Sequence, residues 1–226
     1  DGGSNLYLAG TGKDTILFQS AGESDISGST IKGGMGNDSI LIQSLSAGVA
    51  TKSVIYGQKG DDTITFESNP AGSAGSDNLS IQGGLGADSI TNSGIGVASG
   101  TGIFNYAKYS ESTLDSMDTI TFNTAAVSAG GASFASSRVR FNITTGSVTL
   151  VTGEGASGQI SAASGYVIFS GYSDNSLTAR VSAIDASYTT TGDAGVFTTD
   201  NTTRYLFVQG GTTDLVVRLS DDAQLT

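Results

Sequence analysis

Four aspartates recur along the first part of the chain, Asp14, Asp38, Asp62 and Asp88, at spacings of 24, 24 and 26 residues. Each closes a six-residue glycine-rich stretch. These read Ala9-Gly10-Thr11-Gly12-Lys13-Asp14, Gly33-Gly34-Met35-Gly36-Asn37-Asp38, Gly57-Gln58-Lys59-Gly60-Asp61-Asp62 and Gly83-Gly84-Leu85-Gly86-Ala87-Asp88. A carboxylate supplies a charged oxygen. Glycine accepts φ > 0, so a glycine turn can aim successive backbone carbonyls at one point. Oxygen donors of this kind suit calcium, which takes about 6–8 of them in an adaptable geometry. A single stretch of this type is simply a good β-turn. Four in near register make calcium coordination the stronger reading. The candidate ligands are Asp14, Asp38, Asp62 and Asp88, with Gly10, Gly12, Gly34, Gly36, Gly57, Gly60, Gly84 and Gly86.

Strands must position these turns. Every turn aspartate is followed by Ser or Thr and then Ile, and a fifth triplet, Asp118-Thr119-Ile120, lies 30 residues after Asp88. Two residues past each Ile stands Phe18, Ile42, Phe66, Asn92 or Phe122. Alternation with period 2 marks strands with one buried face. Ahead of each glycine turn runs a short strand-like piece: Leu6-Tyr7-Leu8, Thr30-Ile31-Lys32, Val54-Ile55-Tyr56 and Leu79-Ser80-Ile81. One unit of about 24 residues is strand, turn, strand and a longer loop such as Ser20–Ser29 or Ser68–Asn78. Such a unit cannot bury a face alone, so units must stack. Stacking places one ion between successive turns, in the pairs Asp14/Asp38, Asp38/Asp62 and Asp62/Asp88. Asn37 and Asp61 read as solvated turn residues. The fifth unit has no glycine turn. There Asp118 reads as opening a strand without metal, Glu111 and Asp115 as a solvated loop, and Tyr106 and Tyr109 as a plug for the end of the core.

The turns resemble the nonapeptide of the RTX, or hemolysin-type calcium-binding, repeat family, G-G-x-G-x-D-x-U-x with U a large apolar residue. Gly33 to Leu41 and Gly83 to Thr91 match it at every defined position, while Ala9 and Gln58 replace one glycine each. The resemblance covers roughly residues 1–92. It implies an all-β fold, a right-handed parallel β-roll or β-helix (an RTX-like solenoid) with calcium in its turns, followed by further β structure. Family repeats commonly run as back-to-back nine-residue units; one turn per 24 residues here implies calcium along one edge only.

Composition narrows the function. The 226 residues hold 33 Gly but no Cys, His or Trp, and 21 acidic against 10 basic residues give a net charge of −11. Ser-His and Cys-His nucleophile pairs, zinc fingers and thiol redox chemistry are thereby excluded. So few basic residues argue against nucleic acid, and no apolar run approaches the length of a transmembrane helix. Absence of an initiating Met at Asp1 reads as a processed chain or a fragment. Past residue 122 the repeat signature is gone. Strands are expected at Val139–Thr144, Val148–Thr152, Tyr166–Phe169, Leu177–Ile184, Tyr205–Val208 and Leu215–Leu219. Thr145-Gly146 is expected to join the first two as a hairpin, and the turn at Gly210-Gly211-Thr212-Thr213-Asp214 the last two.

The domain reading is therefore 1–122, a calcium-binding parallel solenoid, and 123–226, a C-terminal β domain or a continuation of it. The ending also resembles the C-terminal regions of secreted RTX surface proteins, which implies a region recognised by type I secretion. The leading functional expectation is a non-enzymatic, calcium-stabilised structural protein, secreted to the bacterial cell surface. It would act as an S-layer, sheath or filament subunit that self-assembles into a homo-oligomeric sheet or filament, with cell-surface polysaccharide as a further partner. The alternatives are a non-catalytic RTX module of a secreted enzyme or adhesin, and a polysaccharide-acting β-helix using paired carboxylates.

Overall fold

The computed structural model describes residues 4–19, 26, 28–43, 52–66, 79–92, 101–122, 138–143, 149–150, 153–154, 160–163, 166–169, 174–200 and 203–220. Each glycine turn joins two strands that enter different sheets. The first sheet takes β1 (Leu6–Thr11), β3 (Thr30–Met35), β5 (Val54–Lys59), β7 (Leu79–Leu85), β9 (Thr101–Tyr106) and β11 (Arg138–Ile143), in that spatial order and wholly parallel. The second sheet stacks β2 (Thr15–Gln19), β4 (Ser39–Gln43), β6 (Thr63–Phe66), β8 (Ser89–Asn92) and β10 (Asp118–Phe122), again parallel.

The registers follow the repeat. Tyr7, Ile31, Ile55, Ile81 and Phe104 are aligned across the first sheet. Ile16, Ile40, Ile64, Ile90 and Ile120 are aligned across the second. All but Tyr7 and Ile16 are fully buried, in one core between the sheets. A one-residue slip would turn a whole isoleucine column to solvent, so the register is firmly set. Burying each of these side chains contributes about 1.5–3 kcal/mol.

Beyond β10 the pattern changes. Its next neighbour is β18 (Leu215–Ser220), parallel to it, with Ile120 opposite Leu219. From β18 the sheet turns back through β17 (Arg204–Val208) and β16 (Asp193–Thr198), each antiparallel to its predecessor. It ends through β15 (Tyr166–Phe169), β14 (Ile160–Ala163) and β13 (Gly153–Glu154), while β12 (Thr149–Leu150) lies against β16. A helix, α1 (Leu177–Asp185), packs on this part of the sheet. In β17, Leu206 and Val208 join the main core, whereas Tyr205 and Phe207 join a second one with Val181 and Ile184 of α1. A strand covered on both faces reads as a continuous apolar run, as Tyr205-Leu-Phe-Val does.

The expectation of an all-β right-handed parallel β-roll or β-helix is thus corrected. Among the described residues no closed solenoid is formed. There is one parallel sheet, one mixed sheet and a helix. Parallel pairing extends past the repeat, in β11 against β9 and β18 against β10, and the short Gly-Gly turn at 210–211 makes the antiparallel pairing of β17 with β18 the accessible connection. The segments that would close each unit, 20–25, 44–51, 67–78 and 93–100, and the boundary expected at 122/123, lie wholly or on one side outside the described residues. Two local expectations also fail. Leu177–Ile184 is helix, not strand: the Ser176 hydroxyl accepts from the Ala179 N–H at 3.2 Å, and Leu177, Val181 and Ile184 fall on one helical face. Nor do β11 and β12 form a hairpin, since they belong to different sheets. The hairpin of β17 and β18 is present, and the Gly210 N–H at its turn donates to Asp214 Oδ1 at 2.9 Å.

Candidate functional site

Period-2 alternation decides where the aspartates go. Asp38, Ile40 and Ile42 share one strand face, and that face is the core. Asp38, Asp62, Asp88 and Asp118 are accordingly buried, at 2% exposure or less. They form a column. The Asp14 N–H donates to Asp38 Oδ1 at 2.8 Å, Asp38 N–H to Asp62 Oδ1 at 2.8 Å, and Asp62 N–H to Asp88 Oδ1 at 2.8 Å. The Asp88 N–H continues it to Asp118 Oδ1 at 3.0 Å. Each carboxylate thus uses one oxygen to satisfy the backbone of its neighbour. The other oxygen, Oδ2 of Asp38, Asp62, Asp88 and Asp118, is buried without a hydrogen-bond partner, as is Oδ2 of Asp14 at the head of the column.

The glycines divide into two roles. At the first turn position, Gly33, Gly57 and Gly83 lie against the carboxylate of their own turn. A methyl group at Gly33 would sit 2.6 Å from Asp38 Oδ2 and 2.9 Å from the Gly57 carbonyl oxygen. Carboxylate and carbonyl oxygens of successive turns therefore converge over the glycine. At the second and fourth positions, Gly10, Gly12, Gly34, Gly36, Gly60, Gly84 and Gly86 all have φ between 107° and 136°. A side chain at Gly34, Gly36, Gly84 or Gly86 would also collide with a carbonyl of the preceding turn. Gln58 occupies the left-handed region at φ 90° in place of a glycine. Of the candidate ligand glycines, only Gly57 lacks positive φ.

Electrostatically the column is costly. No lysine or arginine charge offsets the burial of Asp62, Asp88 and Asp118. Burial pushes Asp62 up to about 6 and Asp88 up to about 7. Burial, and then the charge of Asp88, push Asp118 to about 8.

Sequence reasoning misplaced the lower end. Asp118 does open a strand, but it also joins the column. Glu111, in a 3₁₀ turn at Tyr109–Glu111, is buried and accepts from Gln82 Nε2 at 2.9 Å and from the Ala107 N–H at 2.8 Å. It is no solvated loop residue; Asp115 is exposed as expected. Tyr106 is buried in the core beside Asp118, with Tyr109 packed against that core. Ser112, which nothing in the sequence singles out, receives the Asp118 N–H on its hydroxyl at 2.9 Å. Asn37 and Asp61 are exposed but not merely solvated: each Oδ1 accepts an N–H of the next turn, from Asp61 at 3.0 Å and from Ala87 at 2.9 Å.

No protein-family model and no curated protein matches the chain. Among the described residues no helix is long and apolar enough to cross a membrane. None of their acidic side chains gather in threes as a discrete metal centre. A cation at these turns would be held by one carboxylate oxygen per turn together with backbone carbonyls. The orphaned Oδ2 atoms and the oxygens converging over Gly33 and Gly57 fit that description.

Proposed function

We propose that this chain is a non-enzymatic structural protein of the cell exterior, stabilised by calcium at its glycine turns and associating through its repeat edge into a surface layer or filament. One observation carries the reading: four consecutive turns each bury a carboxylate oxygen with no partner. Leaving such an atom uncompensated costs about 1–3 kcal/mol, more when it is charged. A divalent cation removes that cost at each turn, and its binding free energy then becomes folding free energy. Asp14, Asp38, Asp62 and Asp88 would hold it with the carbonyls of their turns. The likeness of these turns to the RTX nonapeptide supports calcium over other hard cations.

Hydrogen exchange in millimolar Ca²⁺ and in chelator tests the proposal. Amides of β2, β4, β6 and β8 become more protected with calcium, and Asp62→Ala abolishes much of the gain. Equal protection with and without calcium would sink it.

A further inference from the structure

The outer face of the second sheet is a lattice without charge. Parallel pairing in straight register aligns Thr15, Ser39, Thr63, Ser89 and Thr119 across β2, β4, β6, β8 and β10. They alternate with the core isoleucines, so this row lies on the side away from the core. A second row, two residues on, has leucine in β2 and β4 and threonine in β6, β8 and β10. Leu17 in that row is 50% exposed. Among the described residues no outward position of these five strands is charged, although the chain has a net charge of −11.

The same face is already a packing surface where the sheet continues. Over β17 and β18 its Tyr205, Phe207 and Val216 pack with Val181 and Ile184 of α1. Arg218, exposed beside Thr119, marks the border between that covered part and the lattice. A sheet face left to water ordinarily intersperses charges of both signs, which also hold copies apart.

The geometry points to this lattice as a contact surface for a second copy of the chain, sheet against sheet. Three features select that occupant. Hydroxyls both donate and accept, so a hydroxyl row pairs with an identical row, and threonine methyls meet the leucines. A second copy has the same spacing by identity, about 4.8 Å between strands and about 6.7 Å between same-face residues along a strand, so all rows are met at once. Two chains of net charge −11 also approach here without like charges in contact. The helix sets the orientation. α1 stands out from the same face, and face-to-face sheets lie about 10 Å apart, close to the diameter of a helix. Turning the partner end over end would set helix on helix. Turning it about the strand direction sets α1 beside the partner's sheet, so the strands of the two copies run the same way. The two rows cover roughly 300 Å² of each copy in projection, well below the standard interface of about 800 Å² per partner. One such contact is therefore weak and gains strength in an array. The inference rests on the reading of the chain as self-associating and adds this face to the repeat edge proposed above.

Charge placed in the lattice tests it. Thr65→Lys and Ser89→Lys set like charges on both copies, while Thr30→Lys, outward on the first sheet, is the control. Sedimentation equilibrium in Ca²⁺, up to millimolar protein, should show the dissociation constant raised at least tenfold by each lattice variant and unchanged by Thr30→Lys. The Tm of the dilute variants should match that of the unmodified chain. The chain has no cysteine, so Ser39→Cys, Thr65→Cys, Ser89→Cys and Thr91→Cys report contact directly. Under mild oxidation at least one of them gives a disulfide-linked dimer, and Thr30→Cys does not. If the unmodified chain associates and both lysine variants associate equally well, the inference is overturned and self-association stands. If the unmodified chain stays monomeric throughout, the inference and the self-association fall together, and calcium at the turns is judged by hydrogen exchange alone. If it is monomeric and a soluble neutral β-glucan shields the lattice cysteines from maleimide, the face belongs to a glycan and the inference is overturned.

Discussion

A glycine that only turns the chain and one that also admits a neighbour should respond differently to a methyl group. Gly10 and Gly34 have nearly the same φ, 121° and 117°. A side chain at Gly10 meets nothing within 4 Å, while at Gly34 it meets the Gly10 carbonyl. Gly10→Ala should therefore cost only the left-handed conformation, about 1–2 kcal/mol. Gly34→Ala should add an overpacking penalty of about 1–3 kcal/mol. Urea unfolding of the two variants checks the difference; equal losses would mean that the turns do not stack as closely as described. The aspartates make a second prediction. Free carboxylates of this type titrate near 4, whereas folded Asp62, Asp88 and Asp118 keep their protons to about 6, 7 and 8. Protonation thus favours the folded state. In chelator, this contribution is fully present below about pH 4 and is lost as pH rises through 6 to 8. Tm in chelator should be higher at pH 4.5 than at pH 8.5, the reverse of ordinary acid denaturation. A higher Tm at pH 8.5 would show that the column is stabilised as carboxylates without metal.

At the scale of elements, the column is a by-product of strand register, so what ends it must also be an element. The 107–117 segment does this by placing Ser112 under β10 and tying it to β18. Ser112→Ala leaves the buried Asp118 N–H and the Val216 carbonyl without the hydroxyl they share. Each lost bond costs about 1–3 kcal/mol, with little change in volume. The loss should appear as faster exchange in β10 and β18 while β4 and β6 keep their protection. Uniform loss across all strands would show that the segment supports the whole core rather than capping one end.

For the whole molecule, the important junction is β10 against β18. Ile40, Ile64 and Ile120 share one core with Val208, Leu215 and Val217. Repeat arrays with nearest-neighbour contacts can unfold piecemeal. Here the repeat strands and the C-terminal hairpin share both a sheet and a core, so they should unfold together. Exchange protection of β6 and of β17 should collapse at the same denaturant concentration. Two separated transitions would mean that the junction couples the halves weakly.

The sequence by itself determined the strands of the repeat, their register and the need for glycine in the turns, because period 2 and a 24-residue repeat are local and translational properties. It also held, unread, the burial of the aspartates: Asp38 stands two residues before Ile40, so any strand that buries one buries the other. Only the tertiary structure decided that each carboxylate gives one oxygen to its neighbour's backbone, since that bond joins residues a full unit apart and depends on how closely two turns stack. Tertiary context also chose helix for Leu177–Asp185, whose apolar positions meet the second core once the N-cap at Ser176 is made. The pairing of β10 with β18 lay furthest from the sequence. It brings Ser112 to Val216 across 104 residues, and no local periodicity encodes a contact at that separation. What selects it is the unfilled edge and core beside Ile120, which the apolar run Leu215-Val-Val covers on folding.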